Sequence, residues 1–284
     1  MASVGTYLIY PCLWFDGQAK AAADFYCSVF KKSKITDENP MAVRWEIEGS
    51  QFMGLNGGPM FTINPSVSFY VACETAEEVT ELWEKLLEGG SAMMALDAYP
   101  WSEKYGWLKD RFGMTWQITV DKNIQQKITP SLLFTQNQHG RGLEALDFYT
   151  SLFDNSSVGN LVKYEKGQNA YATKGMVLFS NFLLNGQSFN IMDGGFPQPY
   201  TFNEGVSLVV NCENQTEIDY YWQKLTENGG VESQCGWLKD KFGVSWQIVP
   251  TVLGQLMNDP EKAPRVVQAF MKMMKFDIAA LLNV

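Results

Sequence analysis

Gly106 to Ile118 reads GWLKDRFGMTWQI, and Gly236 to Ile248 reads GWLKDKFGVSWQI. Ten of these 13 positions are identical and the other three are conservative, which makes the chain an internal repeat. Matches continue outward in the same order. Asp24-Phe25-Tyr26 corresponds to Asp147-Phe148-Tyr149, Asn56-Gly57-Gly58 to Asp193-Gly194-Gly195, Cys73-Glu74 to Cys212-Glu213, and Gly89-Gly90 to Gly229-Gly230. The repeat predicts two homologous domains, 1–122 and 123–250, followed by a helical tail over 251–284.

Each copy changes its periodicity in a fixed sequence. Tyr7 to Phe15 is an apolar, aromatic strand, and Ala22, Phe25, Tyr26, Val29 and Phe30 then recur at helical spacing. A hairpin over Met41–Glu48 and Gln51–Asn56 turns at Gly49-Ser50. Val67, Phe69 and Val71 alternate along a further strand, Thr75 and Glu78 form a capping box for a second helix, and Gly89-Gly90 stops it. Trp107–Asp110 and Met114–Val120 close the copy as a hairpin, bracketed by Asp110 and Gly113. The expected fold is α+β: tandem domains, each a pair of βαβββ units whose open sheet faces curl into a cleft able to hold a small molecule.

Composition removes several classes of function. With 46% apolar and 19% charged residues the chain is a folded one. Twenty-two Lys and Arg against 31 Asp and Glu give a net charge of −9, which excludes general attraction to nucleic acid or to anionic lipid. No apolar run approaches the ~20 residues of a membrane span. The five cysteines form no CxxC pair and are odd in number, pointing to a reducing compartment, the cytoplasm. A single histidine, His139, serves the whole chain, whereas histidine-based metal sites draw on several imidazoles. His139 itself lies in an insertion, QNQHGRG, and reads as a solvated loop residue.

LWFDGQAKAAADFYCSVF (Leu13 to Phe30), Leu55-Asn56-Gly57-Gly58-Pro59 and YPWSEKYGWLKDRFGMTWQI (Tyr99 to Ile118) resemble the PhnB-like branch of the vicinal oxygen chelate superfamily. That superfamily includes glyoxalase I, extradiol dioxygenases and the bleomycin resistance proteins. The branch often carries the label 3-demethylubiquinone-9 3-methyltransferase, yet no GxGxG-type loop follows any strand to hold a nucleoside methyl donor. The resemblance implies tandem glyoxalase-like domains paired as a covalent pseudo-dimer. Metal-using members place ligands on the first, fourth, fifth and eighth strands of a domain. By resemblance the first falls at Pro11 and Pro130, the fifth near Ser66 and Gly205, and the eighth at Gln117 and Gln247. Proline and a neutral amide are poor partners for a divalent ion, so neither a metal nor another cofactor is expected.

Alternation names the side chains that face the cleft. Gln117 shares its face with Thr115 and Thr119, and Gln247 with Ser245, while Trp116 and Ile118 point the other way. Ser68 and Tyr70 are the fifth-strand candidates in copy one and Ser207 in copy two. Asn56 and Asp193 end the fourth strands beside double glycines, as ligand contacts or as turn chemistry. Trp101 lies in a segment, Ser91–Tyr105, that copy two shortens to Val231–Cys235, forming either a lid or a sixth strand. The paired tryptophans Trp107, Trp116, Trp237 and Trp246 read as core. No carboxylate pair or activated nucleophile stands out. The tail, with Val266, Val267, Phe270, Met271 and Met274 at helical spacing, suits docking on the chain's own sheets or on a second subunit. The leading expectation is a metal-independent binder of a small organic molecule. The alternatives are a metal-dependent lyase, isomerase or dioxygenase of the same superfamily, or a module whose clefts are filled by its own side chains.

Overall fold

A computed structural model describes residues 8–122 and 124–284. The expected strand start at Tyr7 and the first residue of the second domain, Asn123, lie outside the described residues. Copy one comprises β1 (Ile9–Phe15), α1 (Ala19–Val29), β2 (Ser33–Glu38), β3 (Ala42–Ile47), β4 (Ser50–Asn56), β5 (Val67–Cys73), α2 (Ala76–Leu87), β6 (Ser91–Tyr99), β7 (Ser102–Lys109) and β8 (Thr115–Val120). Copy two repeats the order as β9 (Ile128–Phe134), α3 (Gly142–Leu152), β10 (Ser157–Lys163), β11 (Val177–Leu184), β12 (Gln187–Asp193), β13 (Val206–Cys212), α4 (Gln215–Thr226), β14 (Val231–Glu232), β15 (Trp237–Lys239) and β16 (Ser245–Pro250). The tail is α5 (Val252–Met257), α6 (Ala263–Phe270) and α7 (Ile278–Leu282). β2 has no counterpart among the expected strands, because its side chains alternate between half-buried and exposed and carry no apolar stripe.

The strands form two eight-stranded mixed sheets. Sheet I has the order β14-β15-β16-β13-β1-β4-β3-β2, and sheet II the order β10-β11-β12-β9-β5-β8-β7-β6. Sheet II therefore joins the second βαβββ unit of copy one to the first unit of copy two, rather than the two units of a single copy. The join is an antiparallel pairing of β5 with β9, in which Ser68 lies opposite Ser131 and Val67 opposite Leu132. The strand order permits this, because only β5 lies between β8 and β9, and neighbouring strands lie ~5 Å apart. The chain divides into two compact units, residues 12–206 and residues 207–284 with 8–11. Sheet II lies wholly in the first of these.

In the 12–206 unit the core gathers on the helix side of the strands. Trp116 is fully buried and packs on Tyr26 of α1 and on Phe30 just past its end, with ring centroids 5.4 and 5.5 Å away, and Phe69 closes against it at 5.3 Å. Thr75 caps α2 by accepting from Glu78 N at 3.2 Å, while the Glu78 carboxylate accepts from Glu74 N at 2.9 Å. In the other unit the tail docks on α4. Gln215 donates to Phe276 O at 3.0 Å and accepts from Ile278 N at 3.0 Å, and Lys275 meets Asp219 at 2.6 Å.

Candidate functional site

The face of sheet II opposite that core carries the polar side chains that alternation selects. Gln117 on β8 donates through Nε2 to Ser68 Oγ on β5 at 2.8 Å and accepts at Oε1 from Tyr105 Oη on β7 at 2.8 Å. Two strands further, Asn190 on β12 donates to Ser131 Oγ on β9 at 3.2 Å, and Ser131 is the cross-strand partner of Ser68. Four adjacent strands, β12-β9-β5-β8, thus bring Asn190, Ser131, Ser68 and Gln117 to one buried group of amides and hydroxyls. Pro130, a position assigned to the ligand pattern, is off this face by alternation, and Ser66, the other, shares the parity of Ser68 but precedes β5. Pro130 pairs with Phe69 on the helix side, and its neighbour Ser131 holds the inward position.

An apolar and aromatic wall adjoins these groups. Tyr105, Trp107 and Leu133 are buried together, with Met94, Tyr99, Met192 and Tyr200 packed against them. Trp107, expected in the core, instead stands opposite Gln117 in register. The segment over 91–105 is the sixth strand and the start of the seventh rather than a detached lid. Trp101, at the turn between them, is 63% exposed; it stacks on Tyr99 with centroids 5.0 Å apart and meets Tyr105 edge-on at 5.7 Å. Tyr70 is half-buried, and burial raises its hydroxyl to about 12. Burial does the same for Tyr200, so both phenols are donors at neutral pH.

Hydrogen bonding on this wall is incomplete. Among the described residues six buried side-chain polar atoms have no partner, and three of them, Trp107 Nε1, Thr115 Oγ1 and Tyr200 Oη, belong to this face or to its wall. A fourth, Ser245 Oγ, occupies the copy-two position of Thr115, beside Gln247, whose Nε2 donates to Ser207 Oγ at 2.9 Å. The copy-one counterparts of Ser131 and Asn190 are Cys12 and Met53, paired in register on β1 and β4. The two copies have therefore kept the Gln and Ser pair and diverged in the other two positions.

Asn56 and Asp193 are not brought to the four-strand group. Asn56 Oδ1 accepts from Ala19 N at 3.0 Å and so caps α1. Asp193 accepts from Gly140 N at 2.9 Å, Gly142 N at 3.1 Å and Val177 N at 2.8 Å. Gly57 follows Asn56 because the Trp14 ring lies 2.1 Å from where a Cβ would stand, and the Trp14 indole donates to Gly58 O at 2.7 Å. His139 is less solvated than expected: it stacks on Tyr171 at 4.3 Å, with Nε2 2.8 Å from Gly194 O. Cys73 and Cys212 are buried, and burial raises both thiols to about 12, far from the range of an activated nucleophile.

Among the described residues no three His, Cys, Asp or Glu side chains converge. The four residues of this group are neutral, and the one amide oxygen of Gln117 already accepts from Tyr105. This donor set does not fit a divalent ion, which favours carboxylate and imidazole ligands.

The family model described as 3-demethylubiquinone-9 3-methyltransferase matches residues 8–119 and again 126–249. The chain belongs to that family, in two copies. Among solved structures, the PhnB protein of Bacillus cereus is 34% identical over 39% of this chain and 98% of its own, with a TM-score of 0.37. Glyoxalase I from Zea mays is 8% identical but covers 84% of this chain and 89% of its own, with a TM-score of 0.55. That likeness carries the fold alone, a glyoxalase-like arrangement of tandem domains. No curated protein matches the chain. Among its described residues no helix is long and apolar enough to cross a membrane.

Proposed function

We propose that this protein binds a small organic molecule on the polar and aromatic face of sheet II, without a metal ion. The observation that carries this reading is the meeting of Asn190, Ser131, Ser68 and Gln117 from four adjacent strands. Amides and hydroxyls orient an organic ligand, while an apolar wall supplies most of the contact area, the usual composition of a small-molecule site. Gln247 and Ser207 are the counterpart candidates in copy two. Methyl transfer, which the family description names, does not come with the fold. β1 runs into α1 through Asp16-Gly17-Gln18, with no glycine-rich loop to cradle a nucleoside cofactor. All five cysteines stand as thiols, which supports a reducing compartment, and we place the protein in the cytoplasm.

A second reading, a module whose cleft is filled by its own side chains, is favoured by the internal bonds of Gln117 to both Ser68 and Tyr105. A thermal-shift screen of uncharged organic compounds, run once with chelator and once with added zinc, separates the readings. The binding reading predicts a stabilising compound that acts equally in both conditions, by about 2.7 kcal/mol at a hundredfold excess over Kd. Stabilisation that requires zinc would support a metal-dependent enzyme. A flat response in both conditions would support the filled module.

A further inference from the structure

The unpartnered atoms on the wall of sheet II define the chemistry of what completes it. A buried donor left without a partner costs about 1–3 kcal/mol, and native proteins retain few of them. Trp107 is 9% exposed and its Nε1 has no acceptor; an indole nitrogen can only donate. Tyr200, packed on the same cluster, has an unpartnered hydroxyl, and Thr115 on β8 another. The cluster around them comprises Tyr105, Leu133, Met94, Tyr99 and Met192, all uncharged, and the residue in register with Tyr105 on β6, Asp97, is acidic and would repel an anion. At its rim Trp101 leaves 63% of its surface in solvent while stacked on Tyr99, a parallel aromatic pair that can be extended by one more flat ring.

We infer that the ligand of this face is an uncharged, flat, ring-bearing molecule with a carbonyl or ether oxygen that accepts from Trp107 Nε1 and Tyr200 Oη, its ring lying along Tyr99 and Trp101. The inference rests on the reading of this face as a binding cleft and narrows it to one chemical class. A carboxylate or phosphate ligand would bury its charge against neutral groups, a penalty of several kcal/mol. An aliphatic ligand, even one whose hydroxyl accepts from the indole, would leave the stacked Tyr99 and Trp101 without a ring to extend them.

The test uses the full chain and three probes: coumarin, which is flat, neutral and carries a carbonyl; coumarin-3-carboxylate, the same ring with a charge; and 1-octanol. Indole N–H resonances are followed during titration, with Trp107 assigned by its loss in Trp107→Phe. Coumarin is expected to shift the Trp107 resonance and to bind at least tenfold more tightly than its carboxylate. Trp107→Phe is expected to weaken coumarin about tenfold. Tyr200→Phe, at a half-buried position, supplies the same comparison if Trp107→Phe melts early. Equal affinity for the carboxylate, or unchanged affinity in both variants, overturns the inference. Binding of 1-octanol or the carboxylate to this face without coumarin also overturns it and leaves the cleft reading standing. No shift on this face with any of the three rejects the class and the cleft together.

Discussion

Asp110 holds the hairpin that ends copy one through four hydrogen bonds. Its Oδ1 accepts from Phe112 N at 2.8 Å and Met114 N at 3.0 Å, and its Oδ2 from Tyr26 Oη at 2.9 Å and Trp116 Nε1 at 2.8 Å. Asp240 likewise accepts from Phe242 N, Val244 N and Trp246 Nε1, which explains why the Asp and the Trp recur together in the repeated motif. Asp110→Asn turns an NH2 group toward two donors, so chemical denaturation should show a loss of about 3 kcal/mol. Burial, partly offset by these bonds, raises the Asp110 carboxyl above its ordinary 3.8. A raised carboxyl contributes stability that is fully present below the unfolded value and lost as pH rises through the folded one. The gap between wild type and Asp110→Asn should therefore widen as pH falls from 7 toward 4; a gap that narrows would contradict the assignment. The motif and its turn were legible because Asp110 and Gly113 have fixed spacing. The bonds to Tyr26, 84 residues away, were not, since the sequence carries no signal for that distance.

Among the elements, the starts of α1 and α3 show how two equivalent positions differ in weight. Asn56 gives one capping acceptor to Ala19 N, whereas Asp193 serves three backbone donors, Gly140, Gly142 and Val177. Asn56→Ala should lose about 1 kcal/mol, the ordinary value of a helix cap, and Asp193→Ala about 3 kcal/mol, because Gly142 N and Val177 N are buried and would be left without an acceptor. Equal losses in denaturant titrations would show that the Asp193 contacts have been overvalued. Alternation on β5 and β8 was enough to find Ser68 and Gln117. Asn190 needed the register of β12 against β9, and Tyr200 lies in a loop whose packing no periodicity encodes. Trp107 could have been found, since it shares the parity of Tyr105 on β7, but its recurrence in both copies made it resemble a core residue. Reading 91–105 as strand rather than lid also required the partner strand, because its exposed positions lack the apolar alternation of a buried one.

For the molecule as a whole, sheet II is built from both copies, β5–β8 of one and β9–β12 of the other. The repeat was plain in the sequence, but nothing in it distinguishes a unit that pairs with its own copy from one that pairs with the other. A fragment ending at Lys122 retains β5 without the β9 that covers its edge. An uncovered apolar edge strand templates further pairing. Sedimentation should find this fragment self-associated, and a folded, monomeric fragment would contradict the sheet order. The most direct test of the account as a whole is native mass spectrometry of the purified full chain combined with elemental analysis. The proposal predicts no stoichiometric zinc, iron, nickel or manganese and a mass that increases by one uncharged organic molecule when a ligand is supplied. One divalent ion per chain, lost in a variant carrying Gln117→Ala and Ser68→Ala, would contradict it.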